Sequence, residues 1–375
     1  MKRLIFNTLL PLLLLAVTLP ANATETFKIT KKEFVKKIEK SFNINATGTF
    51  ELINKYGKVD IKTWDKNTID IEVSIVVNAR SESAAEDAFD RINVEFDNSS
   101  NYVLAETTIE SNKSSWWASN EKSDFEINYL VRMPKTNDLK LSNKYGHSFV
   151  ENIGGDVEAQ IKYGNLNMAE IDGDLNLTLG YGNGSIESAA NTKIDLKYGN
   201  LHLKRSKDMD IDSKYSNLIF TEVGDVSSNS KYDTYEIESV AKFRGDGKYD
   251  NYEFGSAEKV DIYSKYTNVK IGDLEDAIKV ENSYGTVYIK NLSDGFSEVD
   301  LEGSHSEFKI GVASNAKFTI DLSVDYGDIR YPNGVEVMHD KRQSHSHTVK
   351  GFKGSESAKG SIKVQTSYGS VKIHD

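Results

Sequence analysis

Apolar residues alternate with polar ones in short bursts along this chain, and the bursts return at a near-constant interval. The clearest are Ile161-Lys162-Tyr163-Gly164-Asn165-Leu166-Asn167-Met168 and Leu196-Lys197-Tyr198-Gly199-Asn200-Leu201-His202-Leu203. Worn copies follow at Lys214-Tyr215-Ser216-Asn217-Leu218 and Lys265-Tyr266-Thr267-Asn268-Val269. Aligned on the tyrosine, the anchors are Tyr145, Tyr163, Tyr181, Tyr198, Tyr215, Tyr232, Tyr249, Tyr266 and Tyr284, spaced 17 or 18 residues apart. The interval then lengthens to 21, through His305, Tyr326, His347 and Tyr368, so two histidines stand in the tyrosine phase.

The position five residues after the anchor is apolar or aromatic in every copy, from Val150 and Met168 through Ile237, Phe254 and Ile271 to Tyr331, Phe352 and Ile373. The position three after it is mostly apolar, failing at Ser148, Gly184 and Lys350. Apolar residues two apart mean strands, because side chains alternate faces along an extended chain. A helical repeat would need a 3.6-residue periodicity that is absent. Coils of 17–21 residues with these strands predict an all-β fold, a right-handed parallel β-helix (β-solenoid). At roughly 4.8 Å per rung, the stretch from Tyr145 to Tyr368 predicts a rod of about 60 Å. The tyrosines, with Tyr326 and Tyr368, form a structural ladder facing the core or a corner, in preference to an outward aromatic strip that would bind a glycan or a partner protein. A column of small polar residues two before the anchor, including Asn143, Ser213, Ser230, Ser264 and Asn282, suits hydrogen bonds to the turn.

Regular rungs break between the early copy Asn54-Lys55-Tyr56-Gly57-Lys58-Val59-Asp60-Ile61 and Tyr145. Longer alternating runs lie between them. Ala85, Ala88, Phe89 and Ile92 have helical spacing, and Ser83 with Glu86 resembles a capping box, predicting a short helix over 83–91. Residues 42–134 therefore read as an N-terminal cap with the first coils, Pro134 to Asp138 as a turn, and 135–375 as regular repeats. Residues 24–41 carry Lys31, Lys32, Lys36, Lys37 and Lys40 and read as a solvated basic leader, in preference to an arm for an anionic surface.

Residues 1–23 have the form of a secretory signal: Lys2 and Arg3, an apolar run from Leu9 to Val17, and Ala21-Asn22-Ala23 as a small-x-small cleavage site. Export to the periplasm, the cell surface or the medium is the expectation, with no transmembrane segment left after cleavage. Cysteine is absent, so no disulfide can help the fold. The formal charge of −11 becomes −13 without Lys2 and Arg3, which disfavours nucleic acid as a partner.

Several segments resemble one known arrangement: Leu52 to Trp64, the helical segment, and Val131-Arg132-Met133-Pro134 leading into Leu139 to Tyr145. Gly155-Asp156-Val157 and Gly173-Asp174-Leu175 add a Gly-Asp-apolar style of repeat. The chain resembles the bacterial putative-adhesin family of exported β-helix domains over about 42–375. The resemblance implies an adhesin-like binding or envelope-interaction role and supplies no catalytic residue.

Candidate chemistry is sparse. Trp116-Trp117, in a polar setting, are the candidate ligand-binding residues for a glycan or an envelope protein, set against a fold-back over the end of the core. Asp208, Asp210 and Asp212 share one face of a strand and carry the alternative reading, a polysaccharide lyase or hydrolase on a β-helix scaffold. His339, His345 and His347 cluster late, but substitution of His305 and His347 for tyrosine in the ladder is preferred to a metal site. No P-loop, Gly-x-Ser-x-Gly or His-Glu-x-x-His motif occurs, and no cofactor or metal is expected. The reading is a non-enzymatic exported solenoid.

Overall fold

The computed structural model describes residues 31–110 and 124–375. Trp116, Trp117 and the signal-like residues 1–23 lie outside the described residues. The chain forms a parallel β-solenoid. Its regular rungs are single strands of 15 residues, Asn200–Lys214, Asn217–Lys231, Thr234–Lys248 and Asn251–Lys265, separated by two-residue corners that begin with tyrosine. Each rung pairs in parallel with the next, so Leu203, Phe220, Ile237, Phe254 and Ile271 stand directly above one another, all buried. Full burial of such a side chain stabilises by about 1.5–3 kcal/mol, and the column repeats that gain at every rung.

Within a rung the alternation slips twice, on either side of one buried position. Leu201 and Leu203 face inward, then Ser206, then Met209 and Ile211. The three-residue steps at Ser206 mark a bend, so the strand wraps around the core and carries two walls of it.

The small polar column two before the anchor is buried and bonded to neighbouring corners. Asn143 Nδ2 donates to Gly57 O at 3.1 Å, and Asn282 Nδ2 donates to Thr267 O at 3.0 Å. The glycine after the anchor has a steric cause. A Cβ on Gly164 would lie 1.9 Å from the carbonyl oxygen of Gly146 in the preceding rung.

The N-terminal end closes differently. The coil Thr49–Lys55 and Val59–Trp64 stacks on the rung beginning Asp138–Lys144. Its outer sides pair with Tyr102–Ile109 and Asp124–Pro134, and antiparallel strands continue from there. The helix Glu82–Phe89 buries Ala85, Ala88 and Phe89. Its N-cap is Ser81, whose Oγ accepts from Ala84 N at 3.3 Å; Ser83 lies two residues too late to cap.

The boundary of the basic leader is corrected. Lys32–Asn43 is a strand, antiparallel to Thr68–Ala79 along its whole length. Phe34, Ile38 and Phe42 pack against the core from one face, with Lys36 and Lys40 between them. The lysines hide the alternation. Lys36 Nζ sits over the Phe89 ring at 6.0 Å, so its stem covers apolar surface while its charge stays wet.

The C-terminal end departs from the repeat. Residues 335–353 form an antiparallel hairpin, Val335–Arg342 with Ser346–Lys353, so Phe352 is not in the inner column. The last strands, Gly360–Ser367 and Ser370–His374, pair in parallel with Glu298–Val312 on one side and with Phe318–Asp325 and Ile329–Arg330 on the other. The final coil is therefore inserted between two earlier rungs. His347 is also not in the ring ladder. It is buried, with Nε2 2.9 Å from Asp340 Oδ1 and Nδ1 3.2 Å from Arg342 Nη2, while His345 stacks on Tyr326.

Candidate functional site: the tyrosine corner

Every anchor tyrosine from Tyr56 to Tyr368, with His305, has a positive φ between 53° and 63°. That left-handed conformation lets the chain turn, and it costs a residue with a Cβ about 1–2 kcal/mol. Successive rings stack face to face. Centroids are 5.0 Å apart for Tyr145 and Tyr163, 4.9 Å for Tyr215 and Tyr232, and 4.6 Å for Tyr284 and His305. A stacked pair returns about 0.5–1.5 kcal/mol. The two magnitudes nearly cancel, so stability alone does not account for tyrosine at a position where glycine would turn without strain.

The ladder lies at the surface. Tyr163 is 41% exposed and Tyr368 55%. Because each ring face is covered by its neighbour, a sugar cannot lie flat on a ring in mid-ladder. What solvent meets is a comb of ring edges and phenol hydroxyls, one per rung. None of these hydroxyls hydrogen-bonds another described residue.

Two further columns flank the comb. After the tyrosines, asparagine amides bond rung to rung: Asn200 Nδ2 donates to Asn183 Oδ1 at 2.6 Å, and Asn217 Nδ2 to Asn200 Oδ1 at 2.8 Å. Before the tyrosines stand lysines. Lys55, Lys144 and Lys162 are in register, and beyond Gly180 so are Lys197, Lys214, Lys231, Lys248 and Lys265. Lys197 pairs with Asp195 at 2.9 Å. Among the described residues no ion pair joins the other seven. Lys144, Lys162 and Lys231 lie instead over the ring of the tyrosine that follows, at 4.8, 5.4 and 5.2 Å. Like charges directly opposite across a ladder are destabilising.

Beneath this corner lies a buried polar network. In the rungs near Tyr232 and Tyr249 the residue after the anchor is Asp233 or Asp250, and both carboxyls turn inward. Asp233 Oδ1 accepts from Ser216 N at 2.7 Å and its Oδ2 accepts from Ser213 Oγ at 2.8 Å. Asp250 Oδ1 accepts from Asp233 N at 2.8 Å. The side chain of each rung thus caps an amide of the one before. Burial pushes the Asp233 carboxyl up to about 6 against the three hydrogen bonds, from Ser213 Oγ, Ser216 N and Lys231 N, that favour its charge, and burial raises Asp250 as well. Tyr235 Oη, 2.7 Å from Ser213 Oγ and 2.6 Å from Ser228 Oγ, completes the network.

The other candidates do not converge. Asp208, Asp210 and Asp212 are exposed on the outer wall, where Asp212 Oδ1 accepts from Asn229 Nδ2 at 3.0 Å. A shallow open groove of about 630 Å³ follows the mid-strand bend past Arg205, Lys207, Glu222 and Glu258. Among the described residues no three metal-ligating side chains come together. His345 is exposed and stacked while His347 is buried between Arg342 and Asp340, so the two imidazoles do not share a face. The lysine column is visible in the sequence as a recurring Lys-Tyr pair, but its in-register stacking follows only from the parallel pairing.

The fold and its corner define a class: a parallel β-solenoid that displays a repeating surface strip. No family model matches the chain, and no curated protein sequence matches it. Among solved structures it is similar to a putative cell adhesion protein from Clostridium sporogenes ATCC 15579, at 10% identity, over 90% of this chain and 99% of that one, with a TM-score of 0.19. It is similar to a putative adhesin from Parabacteroides distasonis ATCC 8503, at 9% identity, over 71% and 96%, with a TM-score of 0.36. A third is a putative adhesin from Parabacteroides merdae ATCC 43184, at 9% identity, over 68% and 96%, with a TM-score of 0.34. At such identities and TM-scores these likenesses assign neither ligand nor activity. No helix among the described residues is long and apolar enough to cross a membrane.

Proposed function

We propose that this chain is an exported, non-enzymatic binding module of the cell envelope, adhesin-like in role, which holds an extended ligand along the tyrosine corner. The observation that carries the reading is the repetition at that corner. The same hydroxyl and ammonium groups recur at every rung from Tyr198 to Tyr266, with an amide at all but the Thr234 rung and ring centroids 4.8–5.0 Å apart. A catalytic site needs unlike groups gathered once around one bond. A repeated strip suits a repeating ligand, because each added contact binds at the high effective concentration set by the last. Export rests on the signal-like residues 1–23.

An array of extended neutral and charged polysaccharides tests this with the wild-type mature chain and the triple variant Tyr198→Gly, Tyr215→Gly, Tyr232→Gly. Glycine adopts the corner conformation freely, so the variant keeps the turn. Binding by the wild type and its loss in the variant is expected. Binding to none of the polymers would overturn the proposal. Binding that survives in the variant would move the site off the corner, and Trp116→Ala with Trp117→Ala would then show whether it lies there.

A further inference from the structure

The lysine column poses a question that the fold does not answer. The residue before a corner tyrosine needs only to face water. Gly180, Ser283, Ser304 and Ser367 occupy the same place in other rungs, with the corner tyrosine or His305 still stacked. Lysine is therefore not required by the turn. From Lys197 to Lys265 it nevertheless recurs in five consecutive rungs, in a chain whose formal charge is −11. Stacking like charges this way opposes folding.

The outer neighbours relieve only part of it. Asp195, Asp212 and Asp246 stand two residues before Lys197, Lys214 and Lys248, whereas Asn229 and Tyr263 stand before Lys231 and Lys265. On the far side of the comb the column Asn200, Asn217, Thr234, Asn251 and Asn268 is neutral. Seven of the eight lysines lack an acidic partner among the described residues.

We propose that the strip binds a linear acidic polysaccharide, laid along the rod with its carboxylates against the lysine column and its hydroxyls against the tyrosine comb. This rests on the reading of the corner as the binding surface and names its ligand class. A polyanion with about one charge per sugar meets about one ammonium per rung, and it removes the repulsion the free protein carries. Each phenol is a donor and acceptor for a sugar hydroxyl. Flat stacking of bases, which single-stranded nucleic acid uses on aromatic platforms, is denied by rings already stacked on one another. The acidic remainder of the protein does not prevent binding, because charges beyond about 8 Å are largely screened at physiological ionic strength.

Affinity for polygalacturonate and for its fully methyl-esterified form, measured on the mature chain by calorimetry, tests the inference. The free acid is expected to bind, more weakly as salt rises, and the neutral ester at least an order of magnitude more weakly. The variant Lys214→Ser, Lys231→Ser, Lys248→Ser is expected to lose roughly a hundredfold in affinity for the acid, at the increment each basic residue gives against an anionic surface. Serine already occupies this position at Ser283, and a melting curve checks that the variant folds. Should it not fold, the comparison of acid with ester on the wild type decides alone. Equal binding of acid and ester overturns the polyanion while leaving the corner as a binding surface. Binding of neither polymer overturns the polyanion, and the wider array then judges the corner by itself. Tighter binding of single-stranded DNA than of polygalacturonate at equal charge also overturns it.

Discussion

Tyr326 stacks on Tyr368 at 4.8 Å, and Tyr368 in turn stacks on His305 at 4.9 Å, so a residue near the C-terminus separates two anchors that are consecutive in the chain. The rung Phe318–Asp325 reaches the rest of the solenoid through the inserted strand Gly360–Ser367, which pairs with it and with Glu298–Val312.

A chain ending at Ser355 is therefore expected to lose the order of residues 318–353 while keeping that of 200–270. Hydrogen exchange measures this directly, since local opening and global unfolding are resolved by region. Unchanged protection over Phe318–Asp325 would mean that this rung can dock on its predecessor without the insert.

Ile271→Asp tests the inner column. Ile271 is fully buried beside Phe254, and an aspartate there would have no partner. A loss on the order of 4 kcal/mol or more is expected in denaturant unfolding. A wild-type unfolding midpoint would refute the continuous core.

The corner tyrosines invite the opposite test. Tyr215→Gly gives up two stacking contacts and relieves one left-handed Cβ, so a change within about 1 kcal/mol is expected. Tyr215→Val keeps the strain, loses the stack and adds a branched Cβ, and it should be clearly the less stable of the two by denaturant titration. The ordering of the pair carries the prediction.

Asp233 sets a pH dependence. Its carboxyl is held near 6 in the fold against an ordinary 3.8, so the folded chain holds a proton that the unfolded chain has released between those values. The contribution of this group is fully present below 3.8 and is lost as pH rises through about 6. Asp250, also raised by burial, adds in the same direction. Wild type minus Asp233→Asn, compared by thermal melting from acid to neutral pH, should fall across that window. A difference independent of pH would show that the carboxyl is not held neutral.

Much of the solenoid was legible because its signal is periodic. Leu203, Phe220, Ile237, Phe254 and Ile271 are five residues past their anchors, and parallel pairing turns a constant offset into a column. Pairing that breaks sequence order leaves no such trace. His347 has the tyrosine phase by count, yet the hairpin runs backwards and the ring that stacks is His345. Lys32–Asn43 was obscured by lysines, whose stems cover apolar surface that composition alone would call solvated. Asp233 and Asp250 read as ordinary corner polar residues, and only the inward turn of the corner buries them. At the candidate site the tyrosine column was visible in one dimension, but its exposure and the in-register lysines required the third.

Both ends of the rod are finished by strands that pair on one side only among the described residues, Lys32–Asn43 and Val335–Arg342, and both are rich in charge. Charged edges discourage the addition of another chain. The aromatic comb is thus a ruler of fixed length, graduated in rungs. Inserting or deleting one 17-residue unit would change how many graduations the proposed ligand spans without redrawing any of them, so on that proposal grip is tuned by counting.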